Sequence, residues 1–62
     1  MNSTQKQLVR QETFESCMLT IDELIGHASD LEAVGDTTDA RELRELVGHI
    51  ENFIADMRLR HS

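Results

Sequence analysis

Apolar residues recur along this chain in steps of three and four. From Phe14 they fall at Phe14, Cys17, Met18, Ile21, Leu24, Ile25, Ala28 and Leu31. That spacing fills the a, d and e positions of a helical heptad, and no stretch shows the strict alternation of a half-buried strand. A second stripe, Leu43, Leu46, Val47, Ile50, Phe53, Ile54 and Met57, repeats the pattern. Between the stripes stands Gly35, a residue suited to the left-handed position just past a helix end. Asp36, Thr37 and Thr38 follow it and offer side-chain oxygens for the N-cap of the next helix. The pattern predicts a first helix over about 5–34, a turn at 35–37 and a second helix over about 38–60. Thr4-Gln5-Lys6-Gln7 matches a capping box for the start of the first helix, although Gln7 and Arg10 occupy places the stripe would give to apolar residues. That end is expected to overhang. Thr20-Ile21-Asp22-Glu23 is a second capping-box match, but the stripe runs through it in phase, which predicts continuity.

So short a connection makes the two helices antiparallel neighbours, and the expected fold is all-α, a single-domain two-helix hairpin spanning residues 1–62. The chain also repeats itself. Glu23-Leu24-Ile25-Gly26-His27 and Glu45-Leu46-Val47-Gly48-His49 match at an offset of 22 residues. The match suggests two approximate copies related by a local two-fold, with Leu24 facing Val47 and Ile25 facing Leu46. In this frame Met18, Ile25, Val47 and Ile54 are e-type edge positions, outside the a/d seam that one neighbour can cover. Each helix then needs about two neighbours, and the simplest closed solution is a homodimer forming a four-helix bundle. Its expected core is Phe14, Met18, Ile21, Leu24, Ile25, Ala28, Leu31, Leu43, Leu46, Val47, Ile50, Phe53, Ile54 and Met57 from each chain.

Composition narrows the class. Sixty-two residues suffice for one small domain, and 39% hydrophobic content is too apolar for a disordered tail. A single cysteine excludes an internal disulfide framework and any cysteine-based zinc cluster. Cys17 is expected to be a small buried hydrophobe, with no histidine close enough along its helix to activate it as a nucleophile. No apolar run is long enough to span a membrane, and the first residues lack the apolar core of a signal peptide, so the default expectation is cytoplasmic.

Charge is unevenly distributed. Twelve acids against six Lys and Arg leave a net −6, and all twelve acids lie between Glu12 and Asp56. Lys6, Arg10, Arg58 and Arg60 occupy the two terminal segments with no acid among them. A hairpin brings those segments to one end, which predicts a basic tip on an acidic rod. The net charge opposes general nucleic-acid binding, which requires phosphate neutralisation along a surface.

Chemistry-bearing patterns are few. Glu23 with His27 and Glu45 with His49 place a carboxylate and an imidazole one turn apart, and adjacent helices could combine them into a two-His, two-carboxylate metal site. The objection is that the histidines fall at g positions, on the edge of the stripe. The ordinary alternative is a pair of helix-surface Glu–His contacts. Gly26 and Gly48 each cost a helix about 1 kcal/mol against alanine, so their paired occurrence points to close approach of another backbone or to simple surface tolerance. No nucleophile elbow, phosphate-binding glycine loop or metalloprotease motif is present. The expectation is a non-enzymatic, cofactor-free interaction protein. It is a small acidic homodimer that modulates a macromolecular partner, by occupying a basic nucleic-acid-binding surface. Gly26, Gly48 and the four terminal cations are the candidate partner contacts. The alternatives are a nucleic-acid-binding bundle using its basic tips, and a metal-dependent helical enzyme.

Overall fold

The computed structural model describes residues 3–61 as two antiparallel helices, α1 (Ser3–Ala33) and α2 (Thr37–Arg60), packed along a rod of 49 × 16 × 14 Å. α1 is unbroken. The Thr20 hydroxyl donates to the Ser16 carbonyl oxygen at 2.8 Å, one turn back, so the second capping-box match closes on its own helix and starts no new one. Helical geometry already holds at Ser3, so Thr4 lies inside α1, and the capping box expected there does not set its start. Residues 1 and 2 lie outside the described stretch.

The turn comprises residues 34–36, one residue earlier than the sequence pattern places it, because Asp36 and not a threonine caps α2. Gly35 adopts φ +87°, and two hydrogen bonds close the helix end around it. The Asp36 amide donates to the Leu31 carbonyl at 2.9 Å and the Gly35 amide to the Glu32 carbonyl at 3.0 Å, the paired bonds of a Schellman motif. The Asp36 carboxylate then accepts from the Asp39 amide at 3.2 Å, satisfying one of the unpaired donors at the start of α2.

Burial defines the seam. On α1 the covered apolar residues are Phe14, Cys17, Ile21, Leu24, Ala28 and Leu31, with Arg10 half-buried one step before them. On α2 they are Ala40, Leu43, Val47, Ile50, Ile54 and Met57, with Gly48 half-buried beside Val47. Ile21, Val47 and Ile54 form its centre, with Phe14, Cys17, Leu24 and Ile50 packed against them. Both sets step by three and four, a strict a/d pattern. For α1 this is the expected frame. For α2 it is not: Val47 and Ile54, expected at the edge, are buried at 5% and 6% exposure, while Leu46 and Phe53, expected at the centre, are 48% and 44% exposed.

The reason lies at the ends of the helix. A seam through Leu46 and Phe53 continues to Asp39 and Arg60, whereas one through Val47 and Ile54 continues to Ala40 and, just past the helix end, to His61, which stays exposed. The second choice buries no charge. Ala40 and Ala28, the two most deeply buried residues, both lie in the turn-proximal half, where a three-residue connection draws the helices together. The local two-fold suggested by the repeat fails for the same reason. Leu24 sits in the seam and its counterpart Leu46 beside it, while Ile25 is outside and its counterpart Val47 inside.

Candidate functional site

With the seam assigned, the positions flanking it become legible. On one flank α1 presents Met18 and Ile25, both over 40% exposed, and α2 presents Arg44, Glu51 and Arg58. Arg44 closes an ion pair across the hairpin there, its Nη2 2.6 Å and Nε 2.9 Å from Glu32 Oε1. Met18 lines a shallow depression with Glu51, Ala55, Arg58 and the exposed Leu59. This flank is mixed: α1 contributes apolar side chains, and α2 contributes charges together with Ala55 and Leu59.

The opposite flank differs. Here α2 presents Leu46 and Phe53, and Phe53 borders an open groove. On α1 the groove is lined mostly by small residues, Val9, Thr13, Ser16, Cys17 and Thr20, with Glu12 beside them, and on α2 by His49 and Ile50. The Thr13 hydroxyl donates to the Val9 carbonyl oxygen at 2.8 Å, as Thr20 does to Ser16. Both hydroxyls are thus satisfied within α1, and covering these threonines would leave no donor stranded. Leu8, Leu19 and Val34 are exposed elsewhere along the rod.

The basic tip is assembled as the charge pattern predicts. Arg58 lies over the Phe14 ring, 4.3 Å from its centroid, a cation–π contact joining the end of α2 to α1. Arg10, Arg58 and His61 border one shallow depression with Gln7, Phe14 and Met57. The His61 imidazole is held below its ordinary pKa, first by loss of surrounding water and then by the charges of Arg10 and Arg60. Lys6 stands exposed one turn further toward the start of α1. At the other end the situation inverts. A hydrogen bond with Asp36, then the negative charge of Asp36, desolvation and the charge of Glu42 push the Asp39 carboxyl above the ordinary carboxylate range.

The remaining candidates do not converge. Among the described residues no three His, Cys, Asp or Glu side chains are grouped to hold a metal ion, so Glu23, His27, Glu45 and His49 are not brought into one cluster. The shift of the α2 seam explains part of this, moving His49 and Gly48 around the helix relative to His27 and Gly26. A Cβ built on Gly26 or Gly48 meets nothing within 4 Å, so neither glycine is required by close approach within the chain. Cys17 is a free, half-buried thiol in the seam. No helix among the described residues is long and apolar enough to cross a membrane.

Searches against protein-family models, curated proteins and solved structures find no match to this chain.

The sequence reading missed Ala40 as a seam residue, the Glu32–Arg44 pair, and the threonines that line the groove. Ala40 was discoverable, since it stands seven residues before Val47 and fourteen before Ile54.

Proposed function

We propose that this chain acts by association: a small, acidic, homodimeric regulatory protein that binds a macromolecular partner and modulates it by occupying a basic, nucleic-acid-binding surface. The observation that carries the reading is the partial exposure of Met18, Ile25, Leu46 and Phe53 beside a seam that is already complete. Large apolar side chains left at 42–48% exposure along both flanks of a hairpin mark surfaces built to be covered. The net charge of −6 per chain adds electrostatic attraction toward a basic partner, which raises the rate and selectivity of encounter.

Sedimentation equilibrium over a micromolar concentration series tests the first half, with an expected mass of twice 7.1 kDa. A cooperatively melting monomer at every concentration overturns it. For the second half, a protein captured from native host cells is assayed for nucleic-acid binding with and without the purified chain. Stoichiometric release of the nucleic acid is the expected result, and unaltered binding overturns the inhibitory role.

One observation favours a second reading, in which the chain binds nucleic acid directly. Arg10 and Arg60 lie close enough to His61 to depress its pKa, and Arg58 is fixed beside them on Phe14, so the cations are concentrated at one tip. Salt-dependent retention of a labelled RNA hairpin or DNA duplex by the purified chain would shift the assignment to that tip.

A further inference from the structure

One line of residues on α2 is self-complementary. Asp39, Leu46, Phe53 and Arg60 recur at intervals of seven, on the same side of the seam, and all four are exposed. Seven residues fall about 20° short of two whole turns, so the line winds slowly with the seam and stays beside it. Reversed, its order is base, apolar, apolar, acid. Laid antiparallel against itself, it sets Asp39 opposite the partner's Arg60 and Leu46 opposite the partner's Phe53, and both relations then hold a second time by symmetry. The centre of this pairing falls between His49 and Ile50, about one residue from the middle of Thr37–Arg60, so the helices overlap along almost their whole length.

Charge over the whole rod agrees. The tip carries Lys6, Arg10, Arg58 and Arg60, while the turn end carries Asp30, Glu32, Asp36, Asp39 and Glu42 against Arg41 and Arg44, the latter paired with Glu32. These sets, +4 and −3, lie at opposite ends of a 49 Å rod. Each is crowded with its own sign in the separate hairpin: after the hydrogen bond with Asp36, the charges of Asp36 and Glu42 add to the rise at Asp39, and after desolvation, those of Arg10 and Arg60 add to the fall at His61. A two-fold axis perpendicular to the rod places every tip over a turn. One parallel to the rod places tip on tip and turn on turn, which like-charge repulsion opposes. The neighbouring surface of α1 fits the same face, since Thr13 and Thr20 are small and their hydroxyls are already bonded.

We infer that a second copy of this chain docks on the face bearing Leu46 and Phe53, α2 running antiparallel to the partner's α2, with Asp39 and Arg60 paired across both ends. This rests on the homodimer reading above and adds the face, the direction and the residues that fix the register.

A charge-reversal cycle read by sedimentation equilibrium at low salt tests it. Asp39→Lys or Arg60→Glu alone confronts like charges at two places in the dimer and should weaken self-association about tenfold. Combining them in one chain restores opposite pairs and should return the dissociation constant to within a few-fold of the parent. If the parent chain is monomeric at every concentration, both the homodimer reading and this interface fail. If the parent dimerises but single reversals have no effect, or the double variant is weaker still, only this interface fails. Should a reversal unfold the chain by circular dichroism, cysteine cross-linking decides. Chains carrying Cys17→Ala with Leu46→Cys are mixed with chains carrying Cys17→Ala with Phe53→Cys and oxidised. A disulfide between the two kinds of chain is expected, and Leu46→Cys chains linked only to one another overturn the antiparallel register.

Discussion

Ile54 and Phe53 are adjacent in sequence and separate the seam from its flank, so truncating each in turn measures where α2 turns its face. Ile54 is 6% exposed and Phe53 is 44% exposed. Ile54→Ala removes three carbons from the centre of the core, worth about 0.8 kcal/mol each in lost burial. The cavity left among Ile21, Val47 and Ile50 adds to this, giving about 3 kcal/mol, within the usual range for such truncations. A domain of this size has only about 3–5 kcal/mol in total. Far-UV circular dichroism should therefore show Tm falling by about 12–24 °C, at about 4–8 °C per kcal/mol. Phe53→Ala removes a larger side chain, but one that in the separate hairpin buries only about half its surface, so the cost is about 1 kcal/mol and the shift about 4–8 °C. The comparison is made at dilution, where sedimentation reports a single chain mass. Raising the concentration should then enlarge the penalty of Phe53→Ala, because association covers that ring, and enlarge that of Ile54→Ala far less. If Phe53→Ala at dilution costs as much as Ile54→Ala, the seam passes through Phe53 and the assignment of both flanks is wrong.

Three further outcomes follow from the turn and the helix interiors. Gly35→Ala forces a Cβ into the φ +87° conformation and should cost about 1–2 kcal/mol by thermal melting, whereas an unchanged Tm would show that the turn relaxes freely. Gly26→Ala and Gly48→Ala should each stabilise the hairpin by about 1 kcal/mol, since the new Cβ meets nothing within 4 Å, and a loss at either position would reveal a backbone packed there in the assembled protein. Asp36→Asn should bring the Asp39 titration, followed by NMR, back toward the ordinary carboxylate range, because Asp36 is the main cause of its rise. The sign for stability follows from linkage. A carboxyl whose folded pKa is raised binds its proton more readily in the folded chain, so its contribution grows as pH falls from the raised value toward the ordinary one, and Asp36→Asn should remove that gain.

The hairpin itself was open to reading because its determinants are local. Gly35 followed by Asp36 encodes a left-handed stop and an N-cap within two residues, and the bonds formed there involve only residues 31–39. α1 was readable too, since its rival seam through Met18 and Ile25 runs out into Gln11 and Glu32, whereas the one through Cys17 and Leu24 reaches Leu31. The metal alternative was less accessible, because it depended on how far each helix is rotated about its axis, and a repeat of five residues does not constrain that rotation. The offset of 22 residues aligns Leu24 with Leu46, yet seam positions correspond at an offset of 26, as Ile21 does with Val47 and Leu24 with Ile50. Four residues correspond to about 40° of rotation, enough to carry a side chain from the seam to its edge.

That rotation also connects the fold to the way the chain could work. The apolar arc of α2 is wide enough for either of two seams, and the interior of the stripe does not choose between them, since both contain Leu43, Ile50 and Met57. The choice is made at the ends, by Ala40 against Asp39 and Arg60. Burying Ala40 next to the tight turn costs nothing in desolvation, while burying an aspartate at one end and an arginine at the other would cost several kcal/mol each without partners. The same choice that closes the hairpin therefore turns Asp39, Leu46, Phe53 and Arg60 outward as one line. Those residues are too polar at the ends to be a core and too apolar in the middle to be an ordinary solvated face. An antiparallel copy of the line supplies what each of its positions lacks, an apolar neighbour at the centre and an opposite charge at either end.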